Sequence, residues 1–137
     1  MTTLRSPRRA VRGQGLVEFA LIIPLLLLLM VGLFDFGRAI YAYNTISNAA
    51  RAGNRVAIVD QNVAAVRQAA LAEGPALDIP SGNVAATYTC TDQIGCLATV
   101  TVAYDFVPAT PLVGAIVGPI TLHGRSQMPI ERVWVSP

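Results

Sequence analysis

An uncharged apolar run near the amino terminus constrains this chain more than any other feature. Residues 19–34 read FALIIPLLLLLMVGLF, sixteen positions without a charged or hydrogen-bonding side chain. As an α-helix they span about 24 Å at 1.5 Å per residue, and counting from Gln14 the length reaches about 31 Å, close to the hydrocarbon thickness of a bilayer. The sequence therefore predicts a membrane-spanning helix over residues 14–34, with Pro24 inside it.

Basic residues cluster before this run. Arg5, Arg8, Arg9 and Arg12 are four of the ten basic residues, which leaves six against eight acidic ones, a net charge of −2, in the remainder. A short arginine cluster directly before an apolar run favours retention of that end on the cytoplasmic side of a membrane over nucleic-acid binding. We therefore expect a cytoplasmic amino terminus, an extracytoplasmic remainder and no nucleic-acid partner.

A cleavable secretory signal shares the pattern of a basic start and an apolar run. Residues 37–39, Gly-Arg-Ala, make a poor small-x-small cleavage site, and the acidic Glu18 stands at the entrance of a long run. A retained helix is therefore favoured. The alternative is a secreted domain of 98 residues, released after Ala39.

The helical pattern continues beyond the membrane segment, over residues 35–59. A small apolar stripe recurs with helical period on one face, and polar side chains lie opposite it. The stripe consists of Ala39, Ala42, Ile46, Ala49, Gly53 and Val56, and the opposite face of Asn44, Asn48, Arg51 and Arg55. The stripe packs either against its own domain or, through small side chains that let helices approach closely, against another subunit.

Residues 60–137 predict a small head. We expect Asp60 to cap a second, short helix that ends near Glu73, before Gly74 and Pro75. Alternating β-branched segments predict strands, of which the first two form a hairpin; the strands cover residues 84–89, 97–106, 120–125 and 130–135. Between the hairpin and the later strands, the segment PATPLVGAIVG is apolar enough to pack. A small antiparallel sheet covering the stripe gives an α+β fold.

The two cysteines, Cys90 and Cys96, bracket the hairpin loop in CTDQIGC. In an exported domain we expect them to be oxidised to a disulfide, whereas an inverted topology would leave two reduced thiols. A zinc site is not supported, because a second pair of ligands is missing and the single His123 is distant in sequence. We therefore expect no metal.

The sequence contains no constellation that indicates catalysis. His123 stands alone in the strand-like ITLHGR, and there is no nucleophile motif, phosphate-binding glycine loop or telling carboxylate pair. Asp35 and Arg38, three residues apart at the outer interface, are typical of a helix ion pair. We expect a protein that is not an enzyme, with neither a cofactor nor a small-molecule substrate.

Glu18 is unusual, because an acidic side chain costs roughly 2.5–3.5 kcal/mol at the centre of a membrane helix and less toward its end. It belongs to the stretch GQGLVEF, in which Gly13 precedes Gln14, and Glu18 and Phe19 are the fifth and sixth residues after that glycine. With a basic leader before it and an apolar helix after it, this stretch resembles the processing site of type IV prepilin-like proteins.

The whole of residues 13–59 more closely resembles the TadE-like proteins, minor pseudopilins of tight-adherence (Flp) pilus systems. Three elements carry the resemblance: GQ-x-LVEFAL with Pro24 soon after it, DFGRA at residues 35–39, and NAARAG at residues 48–53. It covers about a third of the chain and none of the head.

The resemblance implies that a prepilin peptidase cuts after Gly13, removes residues 1–13 as a leader and frees the amino group of Gln14. Glu18 would then meet the amino terminus of a neighbouring subunit, since an unpaired carboxylate in lipid is costly and pairing can select register and partner. The alternative role for Glu18 is a carboxylate that snorkels to the headgroups one turn away.

The resemblance also implies partners and a location. Subunit assembly would involve Glu18, Pro24, Asp35 and Arg38, and the partners would be membrane lipid, the peptidase, other pilins or pseudopilins and the pilus assembly platform. The protein would be a single-pass component of a bacterial or archaeal cytoplasmic membrane, either kept there or incorporated into a surface pilus for adhesion or secretion. The alternative is an uncleaved single-pass anchor whose head binds an envelope partner.

Overall fold

One long helix dominates the computed structural model, which describes residues 11–91 and 95–131. Helix α1 runs over Val11–Ala57, 47 residues, and continues without interruption through Pro24. At 1.5 Å per residue it is about 70 Å long. Within the described residues it is the one helix long and apolar enough to cross a membrane. The predicted continuation beyond the apolar run is confirmed, and the helix ends two residues before the predicted Val59.

A short second helix follows, α2, over Val63–Ala72. Its N-cap is Asn62, whose side-chain oxygen accepts a hydrogen bond from the Ala64 amide at 3.0 Å, so the prediction of Asp60 as the cap is wrong. Asp60 lies two residues too early: its carboxylate accepts from the Asn62 amide at 2.9 Å and so shapes the turn before the cap. The helix ends at Ala72, with Glu73 as its C-cap, in agreement with the predicted end near Glu73.

Three antiparallel strands form the sheet, in the order β1-β2-β3. They are β1, Val84–Thr91, β2, Gly95–Phe106, and β3, Ile120–Pro129. The predicted hairpin is confirmed, and the strand predicted at 120–125 extends to Pro129. A separate strand at 130–135 is not found at Ile130 and Glu131, because the Glu131 amide instead donates to the Ile58 carbonyl at 3.3 Å; residues 132–137 lie outside the described residues.

Between β2 and β3 lies a helix that the sequence analysis did not predict, α3, over Pro111–Val117. Thr110 is its N-cap residue, Pro111 occupies the first helical position, and Gly118 ends the helix with a positive φ of 70°. Proline at the start and glycine after the end are ordinary helix boundaries. The segment packs, as expected, but as a helix.

The core lies between one face of the sheet and the carboxyl-terminal half of α1. The buried side chains include Ile46 and Ala49 of the stripe, Val100 and Val102 of β2, and Val66 of α2. The sheet thus covers the stripe, so the interpretation that it packs against its own domain is confirmed between Ala42 and Gly53. The predicted polar face, Asn44, Asn48, Arg51 and Arg55, is exposed.

The sheet and α1 come together most closely at Gly124. A Cβ atom placed on Gly124 would lie 2.5 Å from the carbonyl oxygen of Ile46 and 2.8 Å from the amide nitrogen of Ser47. Real Cβ atoms essentially never approach other atoms so closely. The absence of a side chain on β3 at this point is therefore what allows the strand to lie directly on the helix backbone.

Candidate functional site: the membrane helix and its exit point

The predicted processing motif lies at the amino-terminal end of α1, where its described side chains are exposed. Gly13 and Gly15 have no atom near the position of a Cβ, and the Phe19 side chain is largely exposed. In a single chain, nothing in the described structure shields this end of the helix. The geometry leaves Gly13 and Gln14 accessible to another protein.

Glu18 projects from the same exposed end. Gln14, one turn earlier, donates from its side-chain amide to the Glu18 carboxylate at 3.4 Å. This is a weak, solvent-facing contact at the long limit for a hydrogen bond. Across residues 11–91 and 95–131, no salt bridge involves Glu18. The carboxylate therefore has no charged partner within the described part of its own chain.

Pro24 removes one backbone hydrogen-bond donor from the apolar part of α1. Proline has no amide hydrogen, so the carbonyl of Ala20, one turn earlier, lacks its normal helical donor. In lipid an unpaired carbonyl is costly unless a neighbouring group or a local adjustment satisfies it. Glu18, whose contact with Gln14 is long, and the Ala20 carbonyl, which lacks its usual helical donor, thus lie within one turn of the helix.

Asp35 marks the point where α1 leaves the predicted membrane segment, and it is the most heavily bonded carboxylate in the described structure. Its side chain is only 7% exposed. One carboxylate oxygen accepts from the Ala109 amide at 3.0 Å; the other accepts from the Thr110 amide at 3.0 Å and from the Thr110 hydroxyl. Asp35 therefore fastens the start of α3 to α1.

These donors also determine the ionisation of Asp35, which lies just beyond residues 14–34. The hydrogen bond from the Thr110 hydroxyl, and then that from the Ala109 amide, hold the pKa of the Asp35 carboxyl below its ordinary value of 3.8. Both favour the charged form and outweigh the opposing effect of burial. Asp35 is consequently ionised at neutral pH, with its charge directed into the head.

Arg38 forms the predicted ion pair with Asp35, at 3.4 Å, but its side chain is about half exposed. Its guanidinium also lies over the ring of Phe106, 5.5 Å from the centroid, in a cation–π contact. An exposed pair of this kind contributes little to stability. The hydrogen bonds from residues 109 and 110, rather than Arg38, are the main partners of Asp35.

Sequence reasoning identified Asp35 but not its partners. Thr110 is 75 residues away along the chain, and no local pattern reports a contact over such a distance. One usable signal was present, because threonine followed by proline is a common start of a helix. If a helix beginning at Pro111 had been predicted, the amides of residues 109 and 110 just before it would have been expected to need a hydrogen-bond acceptor.

The other predicted site residues lie on the head. Cys90 and Cys96 occupy paired positions on β1 and β2 and form a disulfide. His123 is exposed on the outer face of β3. Among the described residues, no group of three or more His, Cys, Asp or Glu side chains could hold a metal ion.

Over the described residues, the structure defines a class of protein: one apolar helix, long enough to cross a membrane, that carries an α+β head on its carboxyl-terminal half. Within that class, residues 13–55 match the family model of the TadE-like proteins, which confirms the resemblance. The match associates the chain with tight-adherence pilus systems. It covers the processing motif, the apolar run and most of the stripe, whereas the sheet and α3 lie outside it. Comparison with curated proteins and with solved structures found no match.

Proposed function

We propose that this protein is a minor pseudopilin that a prepilin peptidase processes between Gly13 and Gln14, and that it acts in the biogenesis of a tight-adherence (Flp-type) pilus. The observation that carries the proposal is the coincidence of the TadE-like match with an accessible Gly13–Gln14 bond at the head of one exposed apolar helix. The arginines before Gly13 favour a cytoplasmic amino terminus and an extracytoplasmic head.

Glu18 acts in assembly under this proposal, and the protein has no catalytic role. Cleavage after Gly13 creates a positive α-amino group on Gln14 near the membrane face. The Glu18 carboxylate, which has no charged partner within the described part of its own chain, is available to pair with that group on a neighbouring subunit. Such pairing selects the register between neighbouring subunits, because any other register leaves the carboxylate unpaired in lipid, which is costly.

Processing is tested by Gly13→Ala in cells that carry the native pilus machinery. Gly15→Ala is a matched control, since both glycines lie on the exposed end of α1 with open space around them. We expect Gly13→Ala to retain the leader and Gly15→Ala to be processed, as seen by mobility on a gel. Normal processing of Gly13→Ala would count against the proposal and favour an uncleaved anchor whose head binds an envelope partner.

The role of Glu18 is tested separately by counting surface pili. Glu18→Gln keeps the size of the side chain but removes its charge, and Glu18→Asp keeps the charge on a shorter side chain. We expect both variants to insert in the membrane, with fewer pili for Glu18→Gln and partial recovery for Glu18→Asp. Wild-type pili in Glu18→Gln would remove the charge-pairing role and leave a snorkelling carboxylate as the explanation.

A further inference from the structure

Helix α3 presents an apolar surface beside the point where α1 leaves the predicted membrane segment. Its sequence, PLVGAIV, contains no charged or hydrogen-bonding side chain. Val117 at its end is 53% exposed, and in the segments that precede and follow the helix along the chain Val107 is 61% exposed and Ile120 is also exposed. Clustered exposed apolar side chains usually mark a surface that contacts a partner or a membrane.

The level of α3 along α1 overlaps the apolar run. A crevice of about 240 Å³ separates the two helices, and its lining brings Val113 and Val117 of α3 together with Gly32 and Phe36 of α1. Gly32 belongs to the predicted membrane segment, one turn before Asp35. If α1 crosses a bilayer over residues 14–34, α3 therefore lies within the headgroup and upper acyl region on the head's side.

The backbone at the start of α3 suits an apolar environment. The first amides of a helix normally lack partners and depend on water or a capping group. Here the amide of the N-cap residue Thr110 and that of Ala109 just before it donate to the buried carboxylate of Asp35, and Pro111 has no amide hydrogen to satisfy. These groups at the entrance of the helix thus need no water, which favours an apolar environment.

Neighbouring side chains fit the same location. The exposed Arg38 lies one turn after Asp35, where a guanidinium can reach lipid phosphates. Tyr41 and Tyr43 are exposed on the following turns, about 9–12 Å beyond Asp35 along the helix. Tyrosine is enriched at membrane–water interfaces. These side chains of α1 thus lie just beyond the level at which α3 is held, on the side away from the predicted membrane segment.

We propose that α3 is an interfacial lipid-binding element, which inserts its apolar surface into the leaflet on the head's side of the membrane that α1 spans. The surface contacts lipid, because α3 lies beside the end of the apolar part of α1 and has the same kind of apolar side chains. Asp35 holds α3 there, so the head is fixed to the bilayer at two points, α1 and α3. Its tilt and rotation relative to the membrane are thereby restricted.

The test measures how deeply labels at chosen sites lie in lipid. Full-length protein is reconstituted in vesicles of phosphatidylethanolamine and phosphatidylglycerol, with the Cys90–Cys96 disulfide kept oxidised so that only an introduced cysteine carries a nitroxide. Val117→Cys and, independently, Val107→Cys report on the α3 surface. Leu26→Cys is the control for lipid, and Gln127→Cys, exposed on β3 about 23 Å along the strand from Ile120, is the control for water.

Power-saturation electron paramagnetic resonance then compares collisions with oxygen, which concentrates in lipid, and with a water-soluble nickel complex. We expect the ratio of oxygen to nickel collisions at Val117 and Val107 to be several-fold higher than at Gln127. A ratio equal to that at Gln127 would overturn the proposal, and so would shielding from both reagents, which would indicate a protein neighbour. A Leu26 label that reads as aqueous would overturn the membrane span and this proposal together.

Discussion

Gly124→Ala is the substitution for which the structure makes the sharpest prediction. The added methyl group would lie 2.5 Å from the carbonyl oxygen of Ile46 and 2.6 Å from its carbonyl carbon. Ordinary contact of a Cβ atom begins near 3.4 Å, so β3 and α1 must separate by about 0.9 Å, the difference between the two values. The obstructing atoms belong to the helix backbone and cannot rotate aside.

The cost follows from this geometry. Overpacking a core typically destabilises a protein by about 1–3 kcal/mol. We expect Gly124→Ala to lower the free energy of unfolding by about 3 kcal/mol, the upper end of this range, because the separation weakens the contact of the whole strand with the stripe. In a domain of about 100 residues or fewer, 1 kcal/mol corresponds to about 4–8 °C, so the melting temperature of the head should fall by about 12–24 °C.

The assay is thermal unfolding of the full-length protein in detergent micelles, followed by near-ultraviolet circular dichroism of the tyrosines. This signal reports on the packed head, since Tyr88 and Tyr104 are partly buried against the core, whereas α1 remains helical in the micelle. Gly82→Ala is the matched control, because no atom lies within 4 Å of its Cβ position. We expect it to change the free energy of unfolding by less than about 0.5 kcal/mol.

Gly53→Ala provides an intermediate case. Its Cβ would lie 3.1 Å from the Cβ of Ala70 and 3.2 Å from the carbonyl oxygen of Val66. The gain in helix propensity, up to about 1 kcal/mol, opposes the crowding, so we expect the free energy of unfolding to change by no more than about 1 kcal/mol.

If the melting temperature of Gly124→Ala were within a degree of that of the wild type, the close approach of β3 to α1 would be refuted. The packing of the sheet on the stripe would be refuted with it.

Two further predictions concern the head. Replacing Cys90 and Cys96 together by serine should lower the free energy of unfolding by about 2 kcal/mol, the value expected for a disulfide that closes a short loop. If the parent protein is shown to contain the disulfide and the melting temperature of the variant is unchanged, the disulfide does not stabilise the head. The second prediction concerns Asp35, whose carboxyl pKa is lowered by hydrogen bonds in the folded chain. Above pH 3.8, its ordinary pKa, the ionised carboxylate stabilises the packing of α3 on α1. This contribution is lost as the pH falls through the lower pKa that Asp35 has in the folded chain. In Thr110→Val the Ala109 amide resonance should titrate with a higher midpoint than in the parent, and an unchanged midpoint would contradict the assigned hydrogen bond.

The sequence predicted the elements whose signals are periodic and local. The apolar run and the stripe after it define one helix because side chains three and four residues apart share a face. In the same way, the alternation in residues 97–106 predicted a strand, and Ala98, Val100 and Val102 are indeed buried on one face of β2. Together these two patterns were enough to predict the α+β arrangement.

What the sequence could not provide depends on partners that are distant along the chain. Asp35 looked like an ordinary ion pair with Arg38, because its stronger donors come from residues 109 and 110. Gly124 looked like an unremarkable strand residue until its contact with Ile46 was visible. The capping error at Asp60 has another origin: Asn62, two residues later, is an equally good cap, and the turn geometry chooses between them.

The proposed role of the protein in pilus biogenesis requires that the chain be a substrate of a prepilin peptidase. The decisive measurement is the intact mass of the protein extracted from membranes of cells that carry the native pilus machinery, with amino-terminal sequencing as a check. We predict a chain that begins at Gln14 and has lost residues 1–13. A chain that retains its leader and begins at Met1 or Thr2 would contradict the proposed processing and leave Glu18 without its assembly partner.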